Sequence, residues 1–449
     1  MAAVKNNRAI IAVNRFGLGA TGAEFSAAKH DPEQWLLQQL VSPVFDKTLG
    51  DTESAFNMIA DIKVLKQQSR QKNMKLPDIG RTLIRPYRQR LIMDSLEQSV
   101  QTNIPFAVRL LDFFSNHFSV SVSTQTMTLL APILEREAIA PNLFGSFADL
   151  LIAVEQHPAM LVYLNNEKSV GPNSKAGKRA RGLNENLARE ILELHTLGVD
   201  GGYSLDDIRQ LAMAISGWSI TDEGDTGHGG FKFRDNYHQP GARIILGKSY
   251  GDNGEAQGRA VLHDLARHRK TAEFISYKLV QHLIADQPPK QLVSAMVDTW
   301  VKTEGDIKAV VTTMIKHPQS WDSQSNKFKT PREFVVSAYR AVNHPEAVDQ
   351  GLLNILMRGL NFMGHKPFAS GSPAGYSQLN IAWSGSDALM KRIDWVSLLS
   401  QKTSETPKNV AARIFDSQLS PLTVKLLAGA ESRAQGLAML LLSPEFQRR

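Results

Sequence analysis

At 449 residues, with 42% hydrophobic and 21% charged side chains, the chain reads as a globular protein large enough for two lobes or one elaborated domain. Its formal charge of +7 favours anionic surroundings, but a dedicated nucleic-acid binder concentrates such charge on one stripe, so nucleic acid is not an expected partner. The absence of cysteine excludes disulfides, thiolate metal sites and cysteine nucleophiles together.

The apolar run Ala9 to Val13 follows basic residues but is shorter than the roughly 7–15 residues of a signal-peptide core. No signal peptide is therefore expected, which favours the cytoplasm over the periplasm. No stretch approaches the roughly 18–20 apolar residues of a membrane span. Gly17-Leu-Gly19-Ala-Thr-Gly22 matches the dinucleotide glycine pattern, yet Asn14-Arg15-Phe16 separates it from the apolar run. Trp35 to Leu40 also reads as helix where the second strand should lie, so a loop is expected here. Asp31 and Pro32 then cap and open a helix with Leu36, Leu37 and Leu40 on one face.

Helical spacing continues over 81–101, 108–118 and 127–139. Phe113-Phe114-Ser-Asn116-His117-Phe118 sets a polar pair inside an aromatic cluster, and a buried polar group needs partners. Glu137 and Glu190 are the candidate partners of His117, as a buried acid–base pair or a metal site. His157-Pro158 reads as a structural helix boundary. The stretch from Gly171 to Lys178 resembles a phosphate-binding loop but has five residues between its glycines, and Arg179 stands where a magnesium-holding hydroxyl belongs. That leaves a basic loop with Lys175, Lys178, Arg179 and Arg181, either solvated or an anion clamp.

Residues 181–203 concentrate two carboxamides, two arginines, three glutamates and a histidine, most of them on about four helical turns. On a regular helix, with Asn186 at zero, Glu190 falls at about 40°, Glu193 at about 340° and Arg189 at about 300°. His195 lies at about 180°, beside Asn184 and away from Glu190 and Glu193, so a regular helix cannot aim Glu193 and His195 at one metal. The bland alternative is a solvated helix with Glu185–Arg189 and Arg189–Glu193 pairs, His195 complementing its C-terminus before Gly198. Asn184 suits a cap, whereas Asn186 has poor helix propensity and wants another purpose.

Ser204, Asp206 and Asp207 open a helix over 205–215. Residues 222–255 break the helical pattern, and a minor β-hairpin near 230–247 is expected around the Pro240-Gly241 turn. His238 sits in this loop, where functional residues are over-represented. Helices resume from Ala256, interrupted at Gln287-Pro-Pro, Thr330-Pro331 and 369–376. The expected fold is mainly α, a large multi-helical domain of 1–449 with two lobes, 1–225 carrying the polar site and 226–449 carrying the hairpin. Zinc-protease, nucleophile-elbow, EF-hand and zinc-finger patterns are absent.

Asn14-Arg-Phe-Gly-Leu-Gly-Ala20, Asn116-His117-Phe118, Asn184-Glu-Asn-Leu-Ala-Arg-Glu190, Glu193-Leu-His-Thr-Leu-Gly198, Ser216-Gly-Trp218, His238-Gln-Pro-Gly241 and Pro373-Ala-Gly-Tyr376 stand in order. Together they resemble the bacterial domain of unknown function 1800 family over nearly the whole chain. The resemblance implies a helical protein, often exported, whose gene lies beside one for an uncharacterised family related to alkaline phosphatase-like enzymes. Carried over by motif, the notable positions are His117, Glu137, Asn184, Asn186, Arg189, Glu190, Glu193, His195, Trp218 and His238. Phe114, Ala140 and Asn165 depart from the tryptophan, arginine and aspartate more usual in the family, which puts a family site partly in question.

Two functions stay open. The first is a metal-assisted enzyme acting on a polar or anionic substrate. In it His117, Glu190, Glu193, His195 and Glu137 do the chemistry, with a divalent metal as the suitable cofactor. Asn184, Asn186, Arg189, Lys178, Arg179, Trp218 and His238 then bind substrate. The second is a non-catalytic binding or assembly partner of the gene-neighbour protein, the polar helix serving as its interface.

Overall fold

The computed structural model describes residues 2–72, 78–177, 182–221, 229–322, 327–342, 348–416 and 418–449. The chain is mainly helical, and its helices begin where the sequence places caps. Asp31 accepts from the Gln34 backbone N–H and Pro32 takes the first position of Pro32–Leu37. Ser204 and Asp207 form a reciprocal capping box that opens Leu205–Ala214. Thr330 and Glu333 exchange the same pair of bonds at the start of Pro331–Val342, where Pro331 forfeits no helical hydrogen bond.

The helix Pro105–His117 buries residues on every side, as expected of a helix lodged inside a large core rather than at its surface. Buried side chains from Ala9 to Phe446 form one contiguous cluster around it. No helix among the described residues is long and apolar enough to cross a membrane. Among the described residues four helical stretches widen into π turns: Ala12–Phe16, Gly80–Ile84, Glu135–Ile139 and Ile191–His195. Each inserts an extra residue into a turn and rotates the residues beyond it, a device frequent at functional sites.

The β structure differs in pairing from the hairpin expected over 230–247. Phe231–Phe233 pairs antiparallel with the upstream strand Trp218–Ile220, Trp218 opposite Phe233. Arg243–Ile245 pairs instead with Lys248–Tyr250, Arg243 opposite Tyr250. The 3₁₀ turn Asp235–Tyr237 and the Pro240-Gly241 bend separate the two strands that the alternation had joined. Leu246-Gly247 closes the second hairpin with both residues at positive φ (49° and 76°), the twist that two-residue hairpins require.

The glycine-rich segment 17–22 is a packed connection. Gly19 sits at φ 91°, and a Cβ there would lie 2.6 Å from the Ser337 Cβ. Thr21 and Glu24 then box the next helix. Gly19→Ala should therefore cost about 1–3 kcal/mol, from left-handed backbone strain plus a clash in a closed core. Chemical denaturation measures it, and an unchanged midpoint would show that this turn relaxes freely.

Candidate functional site

Three helical segments end at one place. His117 is the last residue of Pro105–His117, Glu155 the last of Phe147–Glu155, and His195 the last of the π turn Ile191–His195. A histidine at a helix C-terminus suits the negative end of the dipole, whereas a glutamate there needs a cationic or hydrogen-bonding partner. Glu155 finds it in His195: Oε1 lies 2.7 Å from the imidazole Nδ1, and both side chains are fully buried.

From the facing helix Arg269–Leu283, the Lys278 Nζ donates to His117 Nδ1 at 3.0 Å. The His117 Nε2–H is thereby left to donate to the His195 carbonyl at 3.2 Å, which fixes the tautomer. Burial, the Lys278 charge and His195 all hold the His117 pKa well below its ordinary value, so the ring is neutral at pH 7. Burial also pulls the Lys278 ammonium down to about 8. Among the described residues Lys278 has no carboxylate partner, and its Nζ lies 5.2 Å from the centre of the Phe274 ring. The Phe118 ring closes the group, 4.6 Å from His117 and 5.2 Å from His195.

Two polar atoms inside this cluster go unused: His195 Nε2 and Glu155 Oε2 are buried without a hydrogen-bond partner among the described residues. Beside them, burial raises the pKa of the half-buried Glu190, opposed by His195 and reinforced by Glu193 and Glu155. Glu190 makes no hydrogen bond or ion pair among the described residues. Neither Glu190 nor Glu137 is the partner of His117 that its buried setting called for; Lys278 and a backbone carbonyl fill that place. The regular-helix geometry also fails beyond Glu190. Asn186–Glu190 is α-helical, but the π turn from Ile191 swings His195 inward to Glu155, within electrostatic reach of Glu190. His195 thus does not serve as an exposed complement to the helix end.

The remaining sequence candidates disperse. Glu137 accepts from His157 Nε2 at 2.9 Å and from the Thr52 backbone at 2.9 Å, tying two helix starts together. Burial pushes its pKa up, but His157 and Thr52 outweigh that and hold it below the usual range. His157 caps Pro158–Tyr163, as a helix boundary should. Asn184 donates to the Leu164 and Asn165 carbonyls and accepts from the Asn186 N–H, a structural clasp, while Asn186 is exposed. Arg189 reaches Glu193 at 3.3 Å and Glu185 at 3.9 Å, the solvated pairs of an exposed face. Trp218 is buried in the core. The His238 Nδ1 meets the Ser216 carbonyl at 3.0 Å. Lys178 and Arg179 lie outside the described residues. Among the described residues no group of three or more His, Asp or Glu side chains is placed to hold a metal ion.

Glu155 and Lys278 escaped the sequence reading. Glu155 carried a signal, a lone carboxylate ending the apolar run Leu150 to Val154, where burial demands a partner. Lys278 carried little, since a lysine at the margin of an apolar helix stripe ordinarily lays its stem on the core and its charge in water.

The sequence profile of a family described as a protein of unknown function (DUF1800) matches residues 11–448. No curated protein and no solved structure matches the chain significantly.

Proposed function

Since the chain belongs to the DUF1800 family of proteins of unknown function, we propose its activity from geometry: an enzyme performing acid–base chemistry on a polar or anionic substrate beside Lys278, His117 and Glu190. The observation that carries the proposal is Glu190, a half-buried carboxylate without a protein partner among the described residues, next to the unpaired His195 Nε2. Half-buried and without such a partner, this carboxylate is free to meet a ligand. A raised carboxylate and a lowered ammonium are both brought closer to neutral pH, where proton transfer is most effective. Glu190, raised, and Lys278, lowered and held by His117, are the two proton-transfer groups, the free amine of Lys278 serving as base; Glu155 orients His195.

Arg189 would meet an anionic group of the substrate. Among the described residues the donors near Glu190 are not arranged as a ligand set, and the chemistry proposed is proton transfer. On this reading 1–449 is one elaborated domain, supported by the contiguous core.

The test is a turnover screen over small esters, amides, carbonyl compounds and phosphoesters with the wild type, Glu190→Gln and Lys278→Met. Both variants should lose about 10²–10⁴-fold in rate. Glu190→Gln should keep or raise stability at neutral pH. A carboxylate whose folded pKa exceeds its unfolded value destabilises increasingly as pH rises through that window, and the amide removes this effect. Turnover surviving in both variants, or a marked loss of melting temperature in Glu190→Gln, would sink the acid–base reading and favour a non-catalytic assembly role.

A further inference from the structure

The helix Pro105–His117 has a second polar face. Phe113 and His117, four residues apart, face the acid–base group, while Asp112 and Asn116, also four apart, line a separate cavity of about 90 Å³. Arg332 and the loop from His365 to Tyr376 close it on the other side.

The hydrogen bonds of this cavity are lopsided. Ser370 donates to the Ser372 carbonyl at 2.8 Å, so Ser119, 3.0 Å away, must donate to Ser370. Ser115 donates to Glu135 Oε2 at 2.7 Å, and Ser95 supplies Oε1 at 2.9 Å. The Tyr376 hydroxyl donates to the Lys366 carbonyl, and both ends of the Asn116 amide are taken up by the Tyr376 backbone. Every hydroxyl proton in the lining is committed, so these oxygens have only lone pairs left to offer. Asp112 adds to them: Oδ1 accepts from Arg332 Nε at 2.8 Å, and no protein donor reaches Oδ2 among the described residues. The lining donors left over are His365 Nε2–H, since Nδ1 accepts from the Arg332 N–H, the second Asn116 amide hydrogen, and the Arg332 guanidinium hydrogens not given to Asp112 and Ser99. Two carboxylates, Asp112 and Glu135, face one guanidinium.

Such a space suits a donor-rich cation. Leu134, Ile139, Leu360 and Phe368 make the rest of the wall apolar. The volume is below that of a cavity of about 150 Å³, which accommodates benzene. We propose that it binds a small primary ammonium ion with a short alkyl arm, the ammonium at Asp112 and the arm against the apolar wall. This site is independent of the acid–base proposal, on the neighbouring face of the helix, about 100° around its axis.

Protonation of Asp112 supplies a second readout. Burial lifts its pKa to about 6; Arg332 and Arg109 oppose that shift, and Glu135 reinforces it. His365, pulled to about 3 by burial and by Arg332 against the pull of Glu333, stays neutral throughout. Protons should therefore compete with the ammonium below about pH 6.

The probe is ethylammonium chloride, titrated by calorimetry and by backbone NMR against matched potassium chloride and sodium acetate. Saturable binding with a dissociation constant of about 1 mM is expected, near the ceiling for so few atoms. Asp112→Asn should weaken it by about tenfold or more. Because that variant also loses its pair with Arg332, the wild type gives a parallel test: affinity should fall about tenfold from about pH 8 to about pH 5. No saturable binding, equal binding of acetate, or affinity independent of pH would each overturn the proposal.

Discussion

Replacement of Glu333 by glutamine is expected to cost about 3–5 kcal/mol of folding stability, the range for breaking a buried ion pair from one side. Glu333 lies inside the core with two arginines on one carboxylate. Its Oε1 is 2.8 Å from Arg109 Nη2 and 2.9 Å from Arg449 Nη2, and its Oε2 takes Arg449 Nε at 3.1 Å and the Thr330 N–H at 2.8 Å. All three charged side chains are more than nine-tenths buried. Burial alone would push the Glu333 pKa up; Arg109 and Arg449 outweigh it and hold the carboxyl far below the usual range. An amide of the same shape keeps the Thr330 bond but leaves two guanidinium groups facing each other without a counter-charge.

The pH dependence of this cluster has the sign of a depressed carboxylate. The folded pKa lies below the unfolded value of about 4.3, so the contribution is complete above that value and is lost as pH falls toward the folded one. Wild-type stability should therefore fall on acidification below about pH 4 more steeply than that of Glu333→Gln. Urea denaturation across this range measures both. A variant within about 1 kcal/mol of wild type at neutral pH would mean that the arginines find water or another anion.

Local signals were legible in the sequence; the partners across the fold were not. Asp31 with Pro32, and Ser204 with Asp207, announce their helices because a cap acts over three residues. The aromatic run around Asn116-His117 indicated a buried polar group, yet the partner of His117, Lys278, lies 161 positions away. No periodicity carries that distance. The polar helix failed differently: its angles assume 3.6 residues per turn, and the π turn at Ile191–His195 discards that period after Glu190. The β segment erred by a partner choice. Phe231–Phe233 alternates as a strand should, but its mate lies upstream at Trp218–Ile220, across a long connection that alternation does not reveal.

Lys278 is expected to acylate with a half-point near pH 8, where an ordinary lysine titrates at about 10.4. At pH 7 about one Lys278 in ten would then be the free amine, against about one in 2,500 for an exposed lysine, a ratio on the order of 10². Access past the Phe274 ring slows any reagent, so the pH midpoint is the proper readout and not the absolute rate. Competitive acetylation followed by peptide mass spectrometry supplies it. The cause of the shift is burial, so opening the site by Phe274→Ala should move the midpoint back toward about 10, whereas His117→Asn, which keeps the site closed, should move it little. A wild-type midpoint near about 10 would leave Lys278 protonated at neutral pH and unable to take a proton, and the base in the proposed chemistry would have to be sought elsewhere. A midpoint near 8 that rises only when the aromatic cover is removed would identify desolvation as the source of a usable base, in a site whose described residues give this lysine no carboxylate.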